Sequence, residues 1–145
     1  MQTSYYLAYG SNLNRAKMAK RCPDAQAVGW AKLTNWQLCF RYWADIEPAP
    51  GQQVYAGIYR ITERCEQALD GYEEFPQVYD KCFLTIPVFL EQQPYKQALP
   101  VMFYRMHPTA YQAPSVDYLQ EIKQGFLDFL FPTTPLNRAL AQVFS

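Results

Sequence analysis

Between residues 28 and 106, strand-like segments follow one another with a single helical interruption, and that order constrains the fold more than any other feature. Residues 28–30 and 33–41 read as strands, the second mixing aromatic and branched residues with polar ones. Pro48, Pro50 and Gly51 mark a turn before residues 54–61, the clearest strand, where Ala56-Gly57 suggests a bulge or a close backbone approach. Residues 81–90 and 99–106 are further strands, and Pro87 confines its own position to an edge or bulge because it has no N–H to donate. Residues 5–9 form a first strand. Helical signals lie mainly at the margins. Residues 14–21 are closed by Pro23, and Thr62 caps a helix running to about Asp70. Ser115 caps a third helix, with Val116, Leu119, Ile122, Phe126 and Phe129 at helical spacing, and residues 136–143 follow Pro135 as a fourth. Consecutive strands of this kind do not build repeated βαβ units. The expected architecture is α+β: a closed or nearly closed mixed β-barrel with helices packed around it.

With 145 residues the chain is expected to be one domain, 1–145, large enough for a core without metal or disulfide staples. Thirteen basic residues balance thirteen acidic ones, which argues against a general nucleic-acid binder and against a polybasic membrane attachment. No apolar run reaches the roughly 18 residues that a membrane-spanning helix needs. Cys22, Cys39, Cys65 and Cys82 include no C-x-x-C pair, and the opening MQTSYYLAYGS has neither a charged n-region nor an apolar h-region. The expectation is four reduced thiols in a cytoplasmic protein. His107 is the one histidine, so a two-histidine metal site is excluded and any Ser–His or Cys–His mechanism must use that residue. Ser11 has no partnered base in the sequence and does not read as a nucleophile.

Two segments could carry chemistry. Tyr9-Gly10-Ser11-Asn12-Leu13 lies between a strand and a helix start, where glycine permits close approach and the following N–H groups point outward toward an anion. The plain structural alternative is that Ser11 or Asn12 caps the next helix. The second segment is Leu69-Asp70-Gly71-Tyr72-Glu73-Glu74-Phe75-Pro76, with Tyr79 beyond. Aromatic walls around adjacent carboxylates raise a glutamate pKa toward the range useful for acid–base work. The alternative is a solvated acidic turn paired with Lys81 or Arg64.

The order and spacing of these segments resemble the γ-glutamylcyclotransferase-like (AIG2-like) superfamily. The resemblance extends over Arg21-Cys22-Pro23 to Phe40, over Pro50-Gly51 before the clearest strand, and over Pro114-Ser115-x-x-Tyr118 opening the late helix. It implies a small γ-glutamyl amide or peptide as substrate, cyclised to 5-oxoproline with release of the free amine. It also implies Glu73 as the catalytic general acid/base. One carboxylate can take a proton from the α-nitrogen and return it to the leaving nitrogen, so neither metal nor cofactor is called for. Tyr9, Gly10, Ser11, Asn12, Leu13, Tyr79 and Tyr118 match family motifs and are the expected substrate-binding residues. Glu74 stands where the family often has glycine, and its like charge is expected to add to the pKa of the pair. Two other readings stay open: a non-catalytic pocket protein that binds a small carboxylated metabolite, and an enzyme that hydrolyses or transfers the γ-glutamyl group. The sequence leaves monomer and homodimer undecided.

Overall fold

The computed structural model describes residues 2–144. Its elements are β1 (Thr3–Ala8), a 3-10 turn (Ser11–Leu13), α1 (Arg15–Arg21), β2 (Gln26–Arg41), β3 (Trp43–Thr62), α2 (Glu63–Tyr72), β4 (Tyr79–Leu90), β5 (Gln97–Met106), α3 (Val116–Asp128) and α4 (Thr134–Phe144). The strands close a barrel in the order β1-β3-β2-β4-β5. β1 runs antiparallel to β3, and closure comes from a parallel pairing of β1 with β5 at Tyr6 and Met102. This is the mixed barrel with surrounding helices that the strand order requires.

The middle of the barrel corrects the sequence reading in two places. Residues 28–30 and 33–41 belong to one strand, β2, because Ala31 and Lys32 pair with Ala56 and Tyr55 without interruption. Pro48, Pro50 and Gly51 do not end a strand but lie within β3. Thr34 pairs with Gln53 and Trp36 with Pro48, so Asn35 alone stands opposite residues 49–52. Asn35 (φ +65°) and Gly51 (φ +81°) both adopt left-handed backbone there, and Asn35 Oδ1 accepts from the Gly51 N–H at 3.0 Å. The true reversal is at Tyr42 (φ +69°), between the paired Arg41 and Trp43. Gln112 holds this tip by accepting from the Tyr42 N–H and donating to Phe40 O, both at 2.9 Å.

Other elements follow their local chemistry. Asn14 caps α1 by accepting from Lys17 N, Thr62 caps α2 from Cys65 N, and Ser115 caps α3 from Tyr118 N. Cys65 and Leu69, four apart, turn α2 onto the barrel, whereas Ile122, Gly125 and Phe126 form the buried face of α3, with Gly125 against the 3-10 turn. Val116, expected on that face, is exposed. Pro87 sits opposite Ala98 on β5, while β4 meets β2 only at Phe89 and Leu90, so no ladder bond is lost on that side. At Gly57 a Cβ would lie 2.5 Å from the Phe129 ring, which is the close approach suggested by Ala56-Gly57. All four cysteines are free. Among the described residues, no helix is long and apolar enough to cross a membrane.

Candidate active site

The chain leaves β1 at Ala8 and turns immediately across one end of the barrel. Gly10 has an ordinary negative φ of −126°, and its lack of a side chain matters for space instead. A Cβ there would sit 3.0 Å from Ala44 Cβ, so glycine lets the turn lie against β3. The turn closes on itself through Leu13 N–H to Gly10 O (3.0 Å) and Asn14 N–H to Ser11 O (3.1 Å). No protein acceptor is found for the N–H groups of Ser11 and Asn12 among the described residues. The turn is held from three directions. Tyr59 donates to Asn12 O at 2.9 Å, Asn12 Nδ2 donates to the Tyr6 hydroxyl at 3.0 Å, and Arg21 donates to Asn12 Oδ1 at 2.7 Å.

Beside this turn lies a cavity of about 110 Å³. Its lining brings together Tyr9, Gly10, Ser11, Asn12, Glu73, Tyr79 and Tyr118, which the sequence singles out, with Tyr6, Trp43, Ala44, Tyr72, Glu74, Val78 and Tyr104. Leu13 does not line it. Its side chain is fully buried in the core and its N–H is taken up inside the turn. His107 is also elsewhere, exposed and 3.2 Å from Asp80.

Glu73 is delivered by the end of α2, where its N–H closes the last turn on Leu69 O at 2.8 Å. No hydrogen bond or ion pair to its carboxyl group is found among the described residues; Lys81 pairs with Glu66 and Asp70, and Arg64 with Asp24. Burial pushes the Glu73 carboxyl up to about 7, partly opposed by the Arg21 charge. Glu74 does not add to that shift. It is exposed, in left-handed backbone (φ +52°), at the cavity rim. Phe75 is not a wall either, because its ring faces Lys81 Nζ at 4.8 Å.

Tyrosines form the enclosure, and burial keeps the hydroxyls of Tyr6, Tyr9, Tyr79, Tyr104 and Tyr118 protonated well beyond neutral pH. Tyr9 donates to Tyr104 O and Tyr79 to Ala44 O, each at 2.7 Å. Tyr104 donates to Asp70 at 2.6 Å, and Lys81 braces that carboxylate from the other side, fixing α2 near its end. Ser11 and Tyr72 share a hydrogen bond of 3.0 Å. Among the described residues no group of three or more His, Cys, Asp or Glu is arranged to hold a metal ion.

Tyr6, Trp43, Ala44, Val78, Tyr104 and Arg21 escape assignment from sequence. Tyr6, Leu7 and Ala8 are buried in succession on β1, and nothing in the sequence there distinguishes a core position from a cavity wall.

The sequence matches the family described as gamma-glutamyl cyclotransferase, AIG2-like, over residues 6–125. The chain belongs to that family. A solved gamma-glutamyl cyclotransferase superposes with a TM-score of 0.75 at 21% identity, covering 99% of this chain and 88% of that one. An uncharacterized protein from Homo sapiens gives 0.78 at 21% identity, covering 99% and 89%. YkqA from Bacillus subtilis gives 0.74 at 23% identity, with 99% of this chain aligned to 56% of that one. At these identities the likeness is one of fold. No curated protein sequence matches this chain.

Proposed function

We propose that the chain is a γ-glutamyl cyclotransferase that closes the γ-glutamyl group of a small amide or peptide to 5-oxoproline and frees the amine. The observation that carries this reading is a buried carboxyl group without a hydrogen-bond or ion-pair partner among the described residues, with a pKa of about 7, on the wall of a tyrosine-lined cavity beside free backbone N–H groups. In the reaction the α-nitrogen attacks the γ-carbonyl carbon, a five-membered ring forms, and the bond to the leaving nitrogen breaks. Two protons pass overall from the α-ammonium to the leaving amine, and Glu73 takes and returns them in turn. An ordinary glutamate near 4.3 facing an α-ammonium near 8 is mismatched by about 3.7 units, or roughly 5 kcal/mol. At about 7 the mismatch falls to about one unit, roughly 1.4 kcal/mol.

Much of the remaining acceleration comes from holding the substrate folded, since aligned intramolecular attack reaches effective molarities of about 10⁵–10⁸ M. The N–H groups of Ser11 and Asn12 are suited to the α-carboxylate, with Gly10 giving close access. Tyr9, Tyr79 and Tyr118 orient the glutamyl part. The cavity is small and closed by aromatic rings, which fits a small-molecule substrate. Incubation with a panel of γ-glutamyl amines, analysed by mass spectrometry, tests this. The mass of 5-oxoproline with equimolar amine is expected. Free glutamate or a new γ-glutamyl amide points to hydrolysis or transfer, and no turnover with retained binding to a binding protein of the same fold.

A further inference from the structure

The direction of each hydroxyl proton around the cavity follows from its partners. Tyr9 and Tyr79 direct their protons to backbone carbonyls, so they offer only lone pairs to a ligand. Tyr6 and Tyr118 are the opposite case. The Tyr6 oxygen accepts from Asn12 Nδ2 at 3.0 Å, and the Tyr118 oxygen accepts from the Ala44 N–H at 3.0 Å and faces the Ser11 hydroxyl. The Tyr6 O–H proton has no protein acceptor within hydrogen-bonding distance among the described residues, whereas the Tyr118 O–H has the Ser11 hydroxyl beside it, which is itself shared with Tyr72. Tyr6 is only 4% exposed, and a buried O–H without an acceptor is costly, so its proton is available to whatever fills the cavity.

The two donors differ in depth. Tyr6 lies deep, joined to the turn through Asn12, whose N–H is itself free. Tyr118 lies toward the mouth, where the 40% exposed Trp43 ring meets it edge-on at 4.9 Å. We infer that Tyr6 donates to the α-carboxylate at the cavity floor and that Tyr118 donates to the γ-carbonyl oxygen, and to the negative charge that develops on it, near the mouth. This rests on the cyclotransferase reading, and it adds Tyr6 as a substrate-binding residue. The same arrangement sets the α-ammonium against the acceptor oxygens of Tyr9 and Tyr79, with Glu73 on the same cavity wall. The leaving amine then departs through the mouth.

Steady-state kinetics with one γ-glutamyl amide separate the two roles, because a ground-state carboxylate contact and a transition-state contact move different constants. For Tyr6→Phe the expected result is KM raised about tenfold with kcat within twofold of wild type. For Tyr118→Phe it is kcat lowered about 10–100-fold with KM little changed. A thermal melt within a few degrees of wild type accompanies each variant, and 5-oxoproline affinity measured by calorimetry provides a second readout that needs no turnover. It is expected to fall about tenfold in Tyr6→Phe. Constants within twofold of wild type in both variants, or the reverse split, overturn the inference while leaving the cyclotransferase reading intact. A wild-type chain that neither forms nor binds 5-oxoproline overturns both.

Discussion

The guanidinium of Arg21 lies 3.8 Å above the ring of Tyr72. From the end of α1, Arg21 also donates to Asn12 and faces Glu121, so one side chain ties the N–H turn to the helix that carries Glu73. Its positive charge is also what opposes the burial of the Glu73 carboxyl.

Replacing it should therefore change acidity as well as geometry. Arg21→Ala is expected to raise the Glu73 pKa above about 7. Because the reaction needs the carboxylate as the initial base, the acid limb of kcat/KM moves to higher pH. Arg21→Lys keeps the charge but not the planar stack, so its acid limb stays near wild type while KM rises. Rates of 5-oxoproline formation between about pH 5.5 and 9 distinguish the two.

Glu73 also links pH to stability. Its folded pKa of about 7 exceeds the unfolded value near 4.3, so the fold favours the protonated carboxyl. The contribution of Glu73 to stability is complete below about pH 4.3 and is lost as pH rises through 7. Glu73→Gln carries no such dependence. Its stability relative to wild type is expected to improve by about 2–3 kcal/mol between pH 4 and pH 8, read from denaturant midpoints. An unchanged difference across that range contradicts the burial of this carboxyl.

Gly125 tests how the turn is seated. A Cβ there would lie 2.5 Å from Leu13 Cβ and 2.6 Å from Asn14 N, so α3 packs directly on the turn backbone. Gly→Ala inside a helix ordinarily stabilises by about 1 kcal/mol, whereas overpacking costs about 1–3 kcal/mol. Gly125→Ala is expected to destabilise by about 1–2 kcal/mol and to raise KM by displacing the Ser11 and Asn12 N–H groups. Gly71 has nothing within 4 Å of its would-be Cβ, and Gly71→Ala is expected to gain stability. Thermal melts of the two variants should move in opposite directions.

How much of this was legible in the sequence depended on whether a local signal existed. The strand order is written in the alternation and branching of residues 54–61 and 99–106, and helix starts are written in Thr62 and Ser115, which cap as expected. The reversal at Tyr42 carried no glycine or asparagine, because Gln112, distant in sequence, holds that tip in place of local turn chemistry. Glu73 was legible through its acidic and aromatic setting and its place in the family motif. Its actual walls were not, since Phe75 turned to Lys81 while Tyr6 and Tyr104 arrived from other strands. Leu13 belongs to the same motif as Ser11 and Asn12, yet the 3-10 geometry turns it into the core.

The central claim is that Glu73 moves the protons of an intramolecular cyclisation, and its most direct measurement is 5-oxoproline release by wild type and Glu73→Gln from a γ-glutamyl amide. The glutamine fills the same space and keeps the fold without a proton to exchange. Loss of at least about a hundredfold in kcat, with substrate or 5-oxoproline still bound, is the expected result. Near-normal turnover by Glu73→Gln contradicts the account and moves the role to another group on the cavity wall, Glu74 first.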